Sequence, residues 1–569
     1  QAKYYGFGRA ISSYFNLNCE IWIVTTACSS STGAIGLAKT LIDRGYYSTV
    51  IVGGSDSIAL SNVAGFDALG GTSGEPISPF SLPVGLNVGE AACFWVVEEM
   101  EKALLRKVRC YGRIAGHSTG LDAHHPTAPD PRGDGVYRAL YMALNDSGYS
   151  IDEMGCINAH GTGTEVNDIC ESRGITRLLE GKNIPVISLK SFFGHCMGTT
   201  GILEATCNVL AMRKGFIPPT INFKENRPGC ELDYVPNIKR NKEYDAFISC
   251  NSAFGGSHAA VVISIWNKPI VKNKTENQRI VITGIGMVSS LGLGIAENVN
   301  SLSAGKKNFK KDDLIWQDGL KAQYAGFVTE FGSKDVNRRL DFRKLSNKIS
   351  KMATAAASFC IDESGLKPNR KNAEDFGVAV GISNGPPEIM HMDKVFSSEN
   401  YSADTTNFSN ITANSIAGWI ANILYLKGVN TTLGNGPHSG LLALGYAFDN
   451  LKLGRTKYMV SGAADEVDKQ TFFNYDLIGY LYSGVQEQDY RCRTDDSRKK
   501  VLGEGAAMFL MESFVEAQQR NASVYGEILG YALMCDSDPF NVQCFDSKQL
   551  DNALHKALNR SGLKRTLSI

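Results

Sequence analysis

Cys28 lies in the small-residue run Thr25-Thr26-Ala27-Cys28-Ser29-Ser30-Ser31. A thiol on such an elbow sits at a helix N-terminus, where the backbone dipole favours thiolate, the nucleophilic form. The competing reading is a small buried core cysteine. A second segment, Asn158-Ala159-His160-Gly161-Thr162-Gly163-Thr164, follows the apolar Cys156-Ile157 and holds His160 on a loop after a strand. Its glycines and threonines let backbone and hydroxyls approach a ligand, although a histidine in such a loop serves structure as readily as catalysis. A third segment is Lys190-Ser191-Phe192-Phe193-Gly194-His195, followed by a small-residue helix from Gly198 to Leu203 and then Glu204. Lys190 and Glu204 could pair as buried ions with a purely structural role.

These groups need elements to carry them. Ile21 to Thr25 and Val50 to Gly53 are β-branched and apolar, the pattern of buried strands. Between them Ser31 to Arg44 has helical spacing and stops at Gly45. Strand, helix and strand in that order predict a parallel α/β layer. A polar, lysine- and asparagine-rich stretch from Asn267 to Gln278 reads as a linker, after which Arg279 to Gly286 opens a new domain.

The chain contains one unit twice. Val52-Gly53-Gly54-Ser55-Asp56-Ser57 recurs as Ser461-Gly462-Ala463-Ala464-Asp465-Glu466 at an offset of 409, which also pairs Gly36 with Gly445. Val88-Gly89-Glu90 recurs as Leu502-Gly503-Glu504, and Ser147-Gly148 as Ser561-Gly562, at an offset of 414. Such an interval means duplicated domains. Cys28 pairs with Pro437, which cannot attack anything, so the copies have different jobs. His438 beside it could be offered as a replacement base, but it matches Ser29 rather than Cys28. Copy two runs about 131 residues before reaching the equivalent of Gln1, and ends at the equivalent of Gly155. The expectation is a fragment of a longer tandem protein, with copy one at 1–266, a linker at 267–278 and copy two at 279–569; the alternative is a circular permutation.

Bulk properties exclude several classes. At 569 residues the chain exceeds one hydrophobic core. Hydrophobic residues make up 43% and charged residues 20%, the balance of an ordinary globular protein. Lysine plus arginine equals aspartate plus glutamate at 58 each, so no global field points to nucleic acid. Apolar runs such as Ala91 to Val97 are strand-length, so no membrane insertion is expected. The 14 cysteines show no CxxC pairs or His/Cys cluster, which leaves no metal site and a reduced, cytoplasmic setting as the expectation.

Taken jointly, the Cys28, HGTGT and KSxxGH motifs resemble the β-ketoacyl synthase family, decarboxylating condensing enzymes of the thiolase fold. The resemblance implies a layered αβαβα architecture, duplicated, with each unit incomplete. It implies that Cys28 carries an acyl thioester and that His160 and His195 bind a malonyl thioester carbonyl and stabilise the enolate as carbon dioxide leaves. Lys190 and Glu204 match residues that hold and charge-tune the second histidine, and Thr162 and Thr164 match contacts to the pantetheine arm. Asp122-Ala123-His124-His125-Pro126-Thr127 resembles a histidine–threonine loop, placing His125 and Thr127 near the malonyl end. Asn251 to Gly256 resembles a glycine-rich gate with Phe254 as acyl sensor, whose N–H joins that of Cys28 as oxyanion donors. Ser252 stands where a phenylalanine is usual and His258 where asparagine is common.

Copy two, with Pro437 for the nucleophile and Pro539 and Asn541 for His125 and Thr127, resembles the inactive chain-length factor of type II polyketide systems. A pseudo-symmetric pairing of the two units, or a homologous dimer, is implied, and linkage raises their effective concentration. The implied activity is that of a 3-oxoacyl-[acyl-carrier-protein] synthase in fatty acid or polyketide biosynthesis, with conjugated polyenes as one product class. The implied partner is acyl carrier protein, which brings its own phosphopantetheine; no cofactor bound by this chain is expected. Basic candidates for docking it are Lys102, Arg106, Lys107 and Arg109, then Arg338, Arg339, Arg343 and Lys344. A Cys/His acyl hydrolase would have no use for a second histidine in KSxxGH, and a non-catalytic scaffold is the remaining alternative. Degradative thiolases need a second cysteine within Asn251 to Gly256, where none stands; Cys250 precedes it.

Overall fold

The computed structural model describes residues 5–17, 19–265, 278–311, 319–336, 340–345, 347–386, 408, 410–483, 500–534 and 547–563. Residues 267–277 of the expected linker, Arg338, Arg339, Pro539 and Asn541 lie outside the described residues.

The repeat seen in the sequence is a repeat of elements. A short 3-10 turn Ala27–Ser29, helix Ser30–Asp43, strand Thr49–Asp56 and helix Leu60–Ala68 recur as Gly436–His438, Ser439–Lys452, Tyr458–Asp465 and Lys469–Leu477. Strand Ala91–Glu98 and helix Met100–Leu105 recur as Gly505–Ser513 and Phe514–Gln519. The helix expected over Ser31 to Arg44 is Ser30–Asp43.

Two compact units result, and they are not the two copies. One comprises Val24–Lys274 with Glu388–Thr431; the other comprises Gln1–Ile23, Thr275–Pro387 and Thr432–Ile569. Each copy thus lends a segment to the unit built mainly from the other. The lent segments are equivalent, because helix Tyr5–Tyr14 and helix Ser415–Leu424 have equal length and lie 410 residues apart. The exchange crosses the division at 266 and 279 expected from composition.

The unit carrying Cys28 is built around a five-stranded sheet in the order Arg113–Leu121, Ser257–Ser264, Ala246–Ala253, Ile157–Asn158, Val186–Ile187. Its central strands are buried along their length, so they read as nearly unbroken apolar runs. Ile248, Ala260 and Val262 face a core with Val136 and Leu140 of helix Asp134–Ser147. Phe247, Val261 and Ile263 face a second core with Ile35 of helix Ser30–Asp43 and with Ile202 and Val209 of helix Thr200–Arg213. Helices therefore cover both faces, and two of them begin beside the reacting groups. A separate two-stranded sheet pairs Thr49–Asp56 with Ala91–Glu98, antiparallel.

Two strand expectations need correction. Val50 to Gly53 is a strand but is buried on one face only, with Val52 inside and Ile51 43% exposed. Ile21 to Thr25 forms no sheet strand beyond an isolated bridge at Val24, so no parallel layer joins it to Val50–Gly53. The physical reason is a different partner for its backbone. Ile23 N–H donates to Asn435 Oδ1 (2.9 Å), Asn435 Nδ2 donates to Ile21 O (2.6 Å), and Gly434 N–H donates to Ile23 O (3.0 Å).

In the other unit the main sheet runs Gly292–Leu293, Ile280–Ser289, Gly505–Ser513, Tyr458–Asp465, Phe376–Gly381, with Gly526–Ile528 beside Ile280–Ser289. Tyr458–Asp465 pairs antiparallel with Gly505–Ser513 and parallel with Phe376–Gly381. Pro437 occupies the turn Gly436–His438 before helix Ser439–Lys452, the place that Cys28 holds in the first copy.

Candidate active site

Two elbows bring the reacting groups together. Ala27 (φ 49°) and Met197 (φ 47°) both take the left-handed conformation just before the helices Ser30–Asp43 and Thr200–Arg213. Such backbone is costly for residues with a Cβ and persists where its surroundings over-determine it. Here they do: Ser31 Oγ accepts the N–H of Ile202 (3.1 Å), and Asp56 Oδ2 accepts both the N–H (2.9 Å) and the hydroxyl (2.8 Å) of Thr199. The two helix starts are thereby tied to each other and to the strand Thr49–Asp56.

Between them Cys28 Sγ lies 3.1 Å from His195 Nε2, and both residues are buried. The other ring nitrogen, His195 Nδ1, lies 3.2 Å from Thr200 Oγ1. The His160 ring stands edge-on to that of His195, centroids 5.3 Å apart. Burial pushes the Cys28 thiol up to about 12, against the lowering pull of Lys190. This corrects the expectation of a resting thiolate: desolvation outweighs the pull of Lys190 and of a backbone hydrogen bond. Burial first, then the charge of Lys190, holds both imidazoles well below their ordinary value, so both rest neutral.

His160 follows the strand Ile157–Asn158, and its backbone is anchored by a buried carboxylate. Glu171 accepts the N–H of His160 on Oε1 (2.6 Å) and that of Gly161 on Oε2 (2.7 Å). Burial nevertheless raises the Glu171 carboxyl to about 7. Asp168 accepts the N–H of Phe80 (2.7 Å) and pairs with Arg227 (3.0 Å), whose Nη2 donates to Gly163 O (2.9 Å). Neither carboxylate was singled out from the sequence; their three-residue spacing on helix Glu165–Leu179, just after the glycine loop, is the signal that could have found them.

Lys190 and Glu204 form an ion pair of 2.9 Å with both side chains fully buried. The resemblance assigned them to the second histidine, yet their hydrogen bonds lead to the first. Lys190 Nζ donates to the His160 carbonyl, while Glu204 Oε2 accepts from Asn158 Nδ2 (3.1 Å) and Asn251 Nδ2 (2.9 Å). Asn251 Nδ2 also approaches His160 Nδ1 at 3.5 Å, and Thr32 donates its hydroxyl to Asn251 Oδ1 (2.6 Å), which fixes the amide's orientation. An amide N–H facing Nδ1 leaves the ring proton on Nε2, the tautomer able to donate to an oxyanion.

The remaining expected residues occupy two neighbouring loops. Thr162 and Thr164 share a hydrogen bond of 2.8 Å. His125 is exposed, and its Nδ1 accepts the N–H groups of Thr127 and Ala128, both at 3.2 Å. Their loop joins the Phe254–Gly256 turn, since Gly255 N–H donates to Pro126 O (2.6 Å). The Phe254 ring lies 5.7 Å from Phe66 and 5.9 Å from Phe408, and Phe66 lies 6.1 Å from His195. Phe408, from the lent segment, had no sequence signal. Cys250 is buried within strand Ala246–Ala253. Of the basic residues, Lys102 pairs with Glu99 and Arg106 with Glu98, each at 3.0 Å, Arg109 stacks on Tyr111 (5.0 Å), and Arg343 pairs with Asp341 (2.7 Å), while Lys107 and Lys344 are exposed. Among the described residues no group of three or more His, Cys, Asp or Glu is placed to hold a metal, and no helix is long and apolar enough to cross a membrane.

Comparison with known proteins finds related chains. The family model described as beta-ketoacyl synthase, N-terminal domain, matches residues 7–103 and 277–517, and the C-terminal domain model matches 111–224. The chain is 38% identical over 254 residues to 3-oxoacyl-[acyl-carrier-protein] synthase 2 of Synechocystis, covering 43% of this chain and 60% of that protein. It is 36% identical over 254 residues to the tetracenomycin polyketide synthase ketoacyl synthase alpha subunit of Streptomyces glaucescens, with the same coverages. The chain thus spans about three fifths of the length of these curated relatives. A solved structure titled PfaC Keto synthase-Chain length factor superposes on 98% of this chain and 64% of its own, with a TM-score of 0.81 and 17% identity, which carries the thiolase-type fold.

Proposed function

Because the chain belongs to the β-ketoacyl synthase family, we propose that its first copy catalyses the decarboxylative condensation of an acyl thioester with malonyl-acyl carrier protein, giving a 3-oxoacyl-acyl carrier protein. The observation that carries this reading is the 3.1 Å approach of Cys28 Sγ to His195 Nε2 with the His160 ring beside it.

In the first half-reaction the Cys28 sulfur attacks the acyl carbonyl as its proton passes to the neutral His195 Nε2; the bond from the acyl carbon to the pantetheine sulfur then breaks, and the leaving sulfur takes that proton from His195. In the second, the malonyl carbon–carboxylate bond breaks, carbon dioxide departs and the electron pair moves onto the thioester oxygen. The Nε2–H of His160 is assigned to that oxygen, where it stabilises the charge as it develops. The carbanion then attacks the acyl carbonyl, the bond between the acyl carbon and Cys28 Sγ breaks, and one proton from water restores the thiol. Thr162 and Thr164 are assigned to the pantetheine arm, His125 and Thr127 to the malonyl end, and Phe254 to the acyl chain. Lys190 and Glu204 act through Asn251 and the His160 carbonyl.

Copy two is assigned a chain-length-factor role in fatty acid or polyketide synthesis, since a proline occupies the nucleophile position on an otherwise equivalent turn. The carrier protein is assigned to the basic residues about Lys102 and Arg106, and the cytoplasm is the proposed setting. Incubation with acyl and malonyl thioesters tests the reading: carbon dioxide together with a 3-oxoacyl product supports it. Free acyl acid formed without carbon dioxide would make the protein a hydrolase instead.

A further inference from the structure

The turn Phe254–Gly256 presents Phe254 toward Phe66 and, through it, His195. Two of its three residues are glycines in the left-handed region, Gly255 (φ 76°) and Gly256 (φ 71°). Glycines restrict their own backbone little, so the conformation must be set by bonds from outside the turn. Three such bonds are made among the described residues. Gly255 N–H donates to Pro126 O (2.6 Å), Asp122 N–H donates to Gly256 O (2.8 Å), and Asn414 Nδ2 donates to Phe254 O (2.6 Å). The first and third grip opposite edges of one peptide plane, that between Phe254 and Gly255.

Asn414 is the unexpected member, because it belongs to the second copy. It stands at the N-cap of helix Ser415–Leu424, where an asparagine ordinarily turns its side chain onto the helix's free N–H groups. Here it makes no capping bond. The side chain is 1% exposed and spends its amide on the Phe254 carbonyl, while its Oδ1 meets no donor among the described residues. The same helix presses on the turn at Gly418, where an added Cβ would lie 2.7 Å from Gly255 O and 2.8 Å from its Cα. The segment is itself braced, with Trp419 Nε1 donating to Asn410 Oδ1 (2.8 Å) and Ser415 Oγ donating to Asn410 O (3.1 Å). The equivalent residue of copy one is Tyr4, which has no carboxamide.

We propose that Asn414, lent by the second copy, is the positioning residue for the Phe254 ring, so that copy two acts on acyl selection at Cys28 through one carboxamide. This rests on the condensing reading of Cys28. Asn414→Asp keeps the size and puts only acceptor oxygens against the Phe254 carbonyl; Gly418→Ala disturbs the same turn by volume. In the full chain, Cys28 acylation by two-carbon and eight-carbon acyl-pantetheine thioesters is followed by intact mass, beside malonyl decarboxylation and the thermal midpoint. Both variants should lower the ratio of eight-carbon to two-carbon acylation about tenfold, by way of KM, with decarboxylation falling less than acylation. An unchanged length ratio in both variants overturns the proposal, as does a uniform loss of all three activities that tracks the midpoint. Absence of any acyl adduct on the unaltered protein would instead sink the condensing reading and this proposal with it.

Discussion

His195→Ala removes the nitrogen 3.1 Å from the Cys28 sulfur. With the thiol raised to about 12 by burial, only about one molecule in 10⁵ carries thiolate at pH 7, a standing cost of about 7 kcal/mol. With His195 present, the proton leaves as the new bond forms, and acylation does not wait for that rare species. General-base assistance of this kind contributes about 10²–10⁴-fold. The sign of the pH dependence follows from the ring. Burial and Lys190 hold the imidazole well below 6.5, so it is already a neutral acceptor at neutral pH and gains nothing as pH rises. Acylation of the unaltered protein should therefore be level from about pH 6 to 9. The variant must rely on preformed thiolate, whose population grows about tenfold per pH unit below its pKa. Its rate at pH 7 should fall by about 10²–10⁴ and then climb along that slope. Intact-mass measurement of the acyl adduct at several pH values reads both effects. A variant that acylates at the unaltered rate, or slowly but without pH dependence, would refute the assignment of His195 as proton acceptor.

Cys28→Ala should abolish elongation while leaving some malonyl decarboxylation, read as carbon dioxide release; elongation at the normal rate would remove Cys28 from the chemistry. Pro437→Ala should leave both half-reactions within about twofold, because the turn it occupies serves no nucleophile. Lys190→Met strands the fully buried Glu204 carboxylate and should cost about 3–5 kcal/mol in urea unfolding, with much of the loss recovered by the double variant Lys190→Met/Glu204→Gln. Glu171 is raised from 4.5 to about 7, so its contribution to stability is complete below pH 4.5 and is lost as pH rises through 7; Glu171→Gln should flatten the fall in urea midpoint across that window. Carrier-dependent acylation should weaken as salt rises from about 0.05 to 0.5 M, whereas acylation by free pantetheine thioesters should not.

The three motifs were legible because each is a short run in which residue type and local geometry coincide. Glycines and threonines around His160, a small-residue elbow at Cys28 and KSxxGH all state their backbone needs within a few residues. The duplication was equally plain, and the repeated elements fall at the offsets the residues show. Ile21 to Thr25 was misread as a strand because β-branched residues signal extended backbone without naming the partner, here the Asn435 side chain. The Glu171 and Asp168 carboxylates went unnoticed because acidic residues in the first turns of a helix ordinarily face solvent.

Read alone, the amino-acid order determines the duplication, the replacement of Cys28 by Pro437 in the second copy, and the three motifs around Cys28, His160 and His195. All of these follow from residue identity and from interactions within a turn or two. Tertiary structure decides that the thiol rests protonated, that Lys190 and Glu204 are wired to His160, and that the Phe254 carbonyl accepts from a side chain 160 positions away. Proton affinity depends on burial, and hydrogen-bond partnership on which distant groups the fold carries within about 3 Å, and neither quantity is encoded at a single position in the chain.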